Sequence, residues 1–203
     1  MRLILASQSP ARLETLRRAG VEPLVIVSGV DEDAHDAATP EDLVALLARE
    51  KGAAVAASVE LTEDHVIVGC DSVLEFEGEV HGKPRSAEEA RERWRRLRGR
   101  RGFLHTGHHL ILRTGGRELV ATDVATTEVH FADLSDAEVE AYLATGEPQN
   151  VAGAFTIDGF GGPFITGIVG DPHNVVGISL PLLRRMLAGF GVAWHTLWVP
   201  QDG

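Results

Sequence analysis

Apolar residues along this chain follow two rhythms: short unbroken runs, and stripes spaced three or four positions apart. Leu3-Ile4-Leu5-Ala6 and Leu24-Val25-Ile26-Val27 are runs that suit buried strands. Between them the spacing predicts a helix over about 9–19. Ser9 can cap its first N–H groups, Pro10 fits the first helical position, Leu13 and Leu16 face inward, and Gly20 ends it. Thr39-Pro40-Glu41-Asp42 starts a second helix in the same manner, with Leu43 and Leu47 on its core face and Lys51 next on that row. A lysine closing an apolar stripe either reaches to water or points into a site.

HVIVGCDSVLEF, residues 65–76, begins as a continuous apolar run and reads as a strand covered on both faces. GEVHGKP then turns the chain, and Ser86-Ala87-Glu88-Glu89 reads as a capping box for a basic helix to about Leu97. Residues 102–113 and 118–131 read as two long strands joined in a hairpin at Thr114-Gly115-Gly116. Ser135-Asp136-Ala137-Glu138 is a second capping box, for a short helix ending near Gly146. The glycine-rich stretch 152–170 reads as irregular, 179–191 as an amphipathic helix, and 192–198 as a last strand. With no repeat and no long linker, the pattern predicts one α/β domain over 1–203 with a substantial antiparallel part.

Charge narrows the choice of partners. The chain carries 19 basic and 30 acidic residues, a net charge of −11. That argues against general binding to nucleic acid or to a membrane surface, both polyanions. A small anionic substrate stays open, because a local basic pocket or a metal can reverse the field. The single cysteine, Cys70, excludes an internal disulfide and a multi-cysteine zinc site, and its setting suggests a small buried residue. No apolar stretch is long enough to span a membrane and no signal-type N-terminus is seen, so a reduced, cytoplasmic protein is expected.

Several residues could carry chemistry. A strand that ends at a helix N-terminus collects unpaired N–H donors and the positive end of the helix dipole, which suits phosphate. Ser7, Ser9 and Arg12 converge at such a junction. Asp71 follows six residues of which five are apolar or glycine, so it is expected at or near the end of a buried strand, where a carboxylate is costly unless paired or metal-bound. Glu32 lies after a strand end, and Lys83 is restrained between Gly82 and Pro84. His105 and His109 would face one side of a strand and His108 the other, with no nearby acid to complete a metal set. Arg91, Arg95 and Arg98 read as a solvated face interleaved with acids. IDGFGGPF lacks the GKS or GKT of a P-loop.

Taken together and in order, LASQSPARLETL, VDE, Lys51-Gly52, VGCDSVLEFEGEVHGKP, EEARERWRRLRG, HTGHHL, YLATGEP, AGAFTIDGFGG and GDPHNVVGISLPLL resemble the Maf family of nucleoside triphosphate pyrophosphatases, over nearly the whole chain. The resemblance implies a long mixed, largely antiparallel twisted sheet with flanking helices, in two lobes around a central cleft. It implies hydrolysis between the α and β phosphates of non-standard or surplus nucleoside triphosphates, a divalent cation (Mg²⁺ or Mn²⁺), a cytoplasmic location and often a homodimer. On the matched positions the resemblance implies that Ser7, Ser9, Arg12, Lys51 and Lys83 contact phosphate, that Glu32 and Asp71 are acidic site residues that hold metal, and that Asp71 is the base. The chain departs from the family at Ala11, Asn150-Val151 and Asp158, the last group in the part associated with pyrimidine preference. A rival expectation is a nucleotide-sensing regulator of cell division that uses the same pocket and acts through a protein partner.

Overall fold

The computed structural model describes residues 1–31, 35 and 37–199. Its strands are β1 (Arg2–Ala6), β2 (Leu24–Val25), β3 (His65–Phe76), β4 (Glu79–His81), β5 (Arg101–Thr114), β6 (Arg117–Phe131) and β7 (Ile165–Val169). Its helices are α1 (Pro10–Arg18), α2 (Pro40–Ser58), α3 (Ala87–Leu97), α4 (Asp136–Ala144), α5 (Pro172–Val176) and α6 (Leu180–Gly189). The sheet order is β2-β1-β3-β5-β6-β7, with β4 beside β3. β1 runs parallel to β2 and β3, whereas β4 and β7 are antiparallel to their neighbours, so the sheet is mixed.

Two compact units divide the chain. One comprises 1–71, 106–125 and 177–203; the other comprises 72–105 and 126–176. In the first, strand alternation sorts side chains onto two faces. Leu3, Leu5, Val66, Val68, Cys70, Leu110 and Leu112 join Leu16 and the apolar stripe of α6 in one cluster. Ile4, Ala6, Ile67 and Ile111 join Val55 and Ala56 of α2 in another. The α2 face is packed without spare room. A Cβ at Gly69 of β3 would stand 2.3 Å from the Ala48 carbonyl, and one at Gly107 of β5 would stand 2.1 Å from that of Val44. Glycine is required at both positions for the helix backbone to lie against the strands.

The second unit has an aromatic core. Trp94 meets Phe131, Tyr142 and Phe164 edge-on, and Phe131 meets Phe155 likewise. Such edge-to-face pairs contribute about 0.5–1.5 kcal/mol each beyond burial.

Local signals hold where they are strongest. Ser9, Thr39, Ser86, Ser135 and Ser179 all cap their helices, and the Ser135–Glu138 box is complete in both directions. At Ser86 only half the box forms, because the Glu89 carboxylate takes the Arg85 N–H instead. Other expectations are corrected. The second strand is two residues long: it is a sheet edge that, among the described residues, pairs with Ile4 and Leu5. GEVHGKP contains β4, folded onto β3 through a turn with positive φ at Glu77 and Gly78. The 152–170 stretch contains β7. The expected last strand is a short 3₁₀ turn, Trp194–Leu197. Val192 and Leu197 both enter the first core, and two residues an odd number apart cannot face the same side of a strand.

Candidate functional site

Asp71 is not at a strand end, as its sequence context suggests; β3 continues five residues beyond it. The ladder persists because Leu74–Phe76 pair with β4 and because Leu74 and Phe76 enter the aromatic core. Alternation then puts Ile67, Gly69 and Asp71 on the α2 face of β3. Lys51, on the buried side of α2, is one turn beyond Ala48, whose carbonyl sits against Gly69. The close approach therefore delivers an ammonium to a carboxylate, and Lys51 Nζ lies 2.5 Å from Asp71 Oδ1. Both residues are 5% exposed. Losing one partner of such a pair strands a charge and costs about 3–5 kcal/mol.

The β1–α1 junction meets the edge of β3 just past the last β1 pairing, Ala6 with Gly69. Arg12, buried in the first turn of α1, donates from one terminal guanidinium nitrogen to Ser7 Oγ and to the Cys70 carbonyl, each at 3.0 Å. Its Nε donates to the Gly177 carbonyl at 2.7 Å. Ser7 Oγ also accepts the Ser9 N–H at 3.2 Å. A hydroxyl has two acceptor sites and one donor. With both acceptor sites filled, Ser7 can only donate, which is the polarity a phosphate oxygen needs. Ser9 accepts the Arg12 N–H and caps α1, so the helix N-terminus opens beside Ser7.

Ser7, Ser9, Arg12, Lys51 and Asp71 thus gather in the first unit through the Cys70-Asp71 peptide, with Arg12 on its carbonyl and Lys51 on its carboxylate. Lys83 belongs to the second unit and is exposed between β4 and α3. Glu32 lies outside the described residues. Burial pushes the Cys70 thiol up to about 11 despite Arg12 and Lys51, so it stays protonated and inert near neutrality.

The histidines of β5 are spent on structure. His108 donates from Nδ1 to the Thr106 carbonyl and accepts the Ser179 N–H at Nε2 (2.9 Å), which fixes it as the neutral ring. His109 bonds Thr122 and packs against Gly52. His105 does have an acid beside it, contrary to expectation: Glu75 lies 3.0 Å from its Nε2 and Thr126 2.9 Å from its Nδ1. Strands β3, β5 and β6 bring these three together from far apart in sequence. Arg91 and Arg95 of α3 and Arg98 just after it are ion-paired as a solvated face should be: Arg91 with Glu88 and Glu140, Arg95 with Glu92, and Arg98 with Asp136.

Sequence reasoning missed two organisers in the second unit, the buried Arg93 and the half-buried Glu147. Arg93 donates to the Gly82 carbonyl at 2.7 Å and pairs with Glu89. Glu147 accepts from Tyr142 (2.8 Å), Thr156 (2.6 Å) and the N–H groups of Phe160 and Gly161 (both 3.0 Å). Burial pushes the Glu147 carboxyl up, but these bonds outweigh it and hold the group below the usual carboxylate value. The segment they arrange contains Asp158, one of the departures from the family pattern. The advance signal was slight: Arg93 is one of several arginines in ARERWRRLRGRR, and Glu147 stands between glycine and proline.

The fold, then, is mixed α/β, with a helix N-terminus and a buried ammonium–carboxylate pair meeting adjacent residues of one strand. A model of the Maf family, described as Maf-like protein, matches residues 2–190, and the chain belongs to that family. It is 53% identical over 201 residues to a Streptomyces coelicolor protein named nucleoside triphosphate pyrophosphatase, covering 99% of this chain and 96% of that one. It is 49% identical over 208 residues to a Mycobacterium marinum protein of the same name, covering 97% and 96%. Among solved structures, a Mycobacterium abscessus nucleoside-triphosphatase / dITP/XTP pyrophosphatase is similar at 14% identity and a TM-score of 0.40, covering 94% of each chain.

Proposed function

We propose that this protein is a nucleoside triphosphate pyrophosphatase that hydrolyses the α–β phosphoanhydride of non-standard or surplus nucleotides. The carrying observation is the Cys70-Asp71 step of β3, where Arg12 holds the Cys70 carbonyl and Lys51 the Asp71 carboxylate. The names of relatives about half identical over their full length support the reading. Water attacks the α phosphorus, the bond to the bridging oxygen breaks, and pyrophosphate leaves with that oxygen. Asp71 takes the water's proton as general base. Ser7, the α1 N-terminus, Arg12 and Lys51 offset the charge that grows on the leaving group. Lys83 is assigned to phosphate contact on the HGKP motif.

A divalent cation fits the donor set. Mg²⁺ is commonly held by one or two carboxylates with the substrate's phosphates, and Asp71 supplies a hard oxygen of that kind. When bound, it would neutralise phosphate charge.

The test is a panel of standard and modified nucleoside triphosphates with Mg²⁺ or Mn²⁺ and identification of both products. Monophosphate plus pyrophosphate is expected; diphosphate plus inorganic phosphate would reject the bond assigned. Asp71→Asn should lower kcat by about 10²–10⁴-fold while nucleotide binding persists. Unaltered turnover in that variant would remove Asp71 as the base. The same variant separates an enzyme from a regulator, since only a regulator would keep its cellular effect.

A further inference from the structure

We propose that Arg93 is a positioning residue for Lys83, fixing through the Gly82 carbonyl the backbone from which that lysine meets phosphate. The inference rests on the reading of Lys83 given above.

Lys83 stands outside any strand or helix, so no ladder sets its place. The peptide that precedes it is nevertheless held from two sides. Arg93 of α3 donates to the Gly82 carbonyl at 2.7 Å, and the Gly153 N–H donates to the same oxygen at 3.1 Å. A carbonyl oxygen has two acceptor sites, and these two donors fill them. Pro84 confines Lys83 to extended backbone from the other side. The plane of the 82–83 peptide and the exit direction of the lysine are then both determined.

The clamp is itself braced. The other terminal nitrogen of Arg93 pairs with Glu89 at 2.7 Å, and the second oxygen of Glu89 takes the Arg85 N–H at 2.8 Å. The chain is thus fastened on both sides of Lys83 to one stretch of α3. Gly153 can present its N–H only as glycine: its φ is +72°, and a Cβ there would stand 2.9 Å from Leu74 Cβ. The neighbouring Trp94 donates to the Ala154 carbonyl at 2.8 Å, so consecutive residues of α3 fix the 82–83 peptide and the turn that braces it.

The arrangement is a costly one for mere packing. Arg93 is 5% exposed, and its Nε is buried without an acceptor among the described residues. A methionine would fill the space without burying a charge or stranding a donor. What it could not do is hold the Gly82 carbonyl.

A double-mutant cycle on the full chain tests this. Pyrophosphate release is measured against triphosphate concentration for Arg93→Met, Arg93→Lys, Lys83→Ala and Arg93→Met with Lys83→Ala, alongside melting temperature. Arg93→Met is expected to raise KM about tenfold with a smaller change in kcat, and Arg93→Lys to recover part of the loss. In the Lys83→Ala background the same Arg93→Met change should alter kcat/KM by less than about twofold. An equal loss in both backgrounds overturns the proposal and leaves the Lys83 reading standing. Full activity in Lys83→Ala alone overturns the Lys83 reading, and the proposal with it. Should Arg93→Met not fold, Glu89→Gln, which removes the brace's charge, enters the same cycle with the same expected outcomes.

Discussion

The two units hold their polar groups by different means. In the first, a functional side chain rises from a regular element and meets another: Lys51 from a helix, Asp71 from a strand, with their separation set by a helix lying on Gly69. In the second, Arg93, Trp94 and Glu147 reach from helices, or from the turn after one, to the backbone of irregular segments. Packing precision positions the Lys51–Asp71 pair, whereas hydrogen bonding to loops positions these groups of the second unit. A side chain on a rigid element should be spoiled by losing its partner, whereas a loop should be released by losing its anchor.

The largest effect is expected at the first kind of site. Lys51→Met leaves the Asp71 carboxylate buried without its ammonium and should cost about 3–5 kcal/mol of stability, read from the denaturant midpoint. Lys51→Met with Asp71→Leu should restore most of that stability and none of the turnover. If the single variant melts like the parent, the pair is not the organising contact of that unit.

A smaller and local effect is expected at Glu147→Gln. The amide keeps the shape but turns donors toward donors, and should loosen residues 156–161 by about 1–3 kcal/mol. Amide exchange at Phe160 and Gly161 should accelerate while Val68 and Leu110 stay protected. Uniform acceleration through both units would erase the contrast drawn here.

The smallest effect concerns His109. Burial, aided by the charge of Arg49, pushes its ring below the usual histidine value. The folded form therefore prefers the neutral ring, and the unfolded chain takes up the proton first as pH falls. Stability from this site is complete above the ordinary histidine range and is lost below it. His109→Gln should flatten the acid side of the stability profile by up to about 1.4 kcal/mol per pH unit, the value of one proton. An unchanged slope would show that the ring is protonated alike in both states.

The same contrast explains what the sequence disclosed. Caps at Ser9, Thr39 and Ser135, the turn at Gly115-Gly116 and the stripes of α1 and α2 are local signals, and they placed most elements within a residue or two. Lys51 and Asp71 were each conspicuous, as charges on apolar surfaces. Their contact was not, because it depends on Gly69 and Gly107 admitting α2, a fact of tertiary packing. The strands β4 and β7 escaped notice for a related reason: each is short and exists through its neighbour's ladder. Arg93 and Glu147 were least visible, since their partners are carbonyl and amide groups that carry no residue identity.

One bond in the first unit bears on how the protein is made. Arg12 closes onto the Gly177 carbonyl across 165 residues of chain. At ribosomal speeds of about 5–20 residues per second, that gap amounts to roughly 8–33 s of synthesis. The β1–α1 junction thus waits that long for this contact, and a nascent chain halted before α6 carries the apolar face of β1 without its cover.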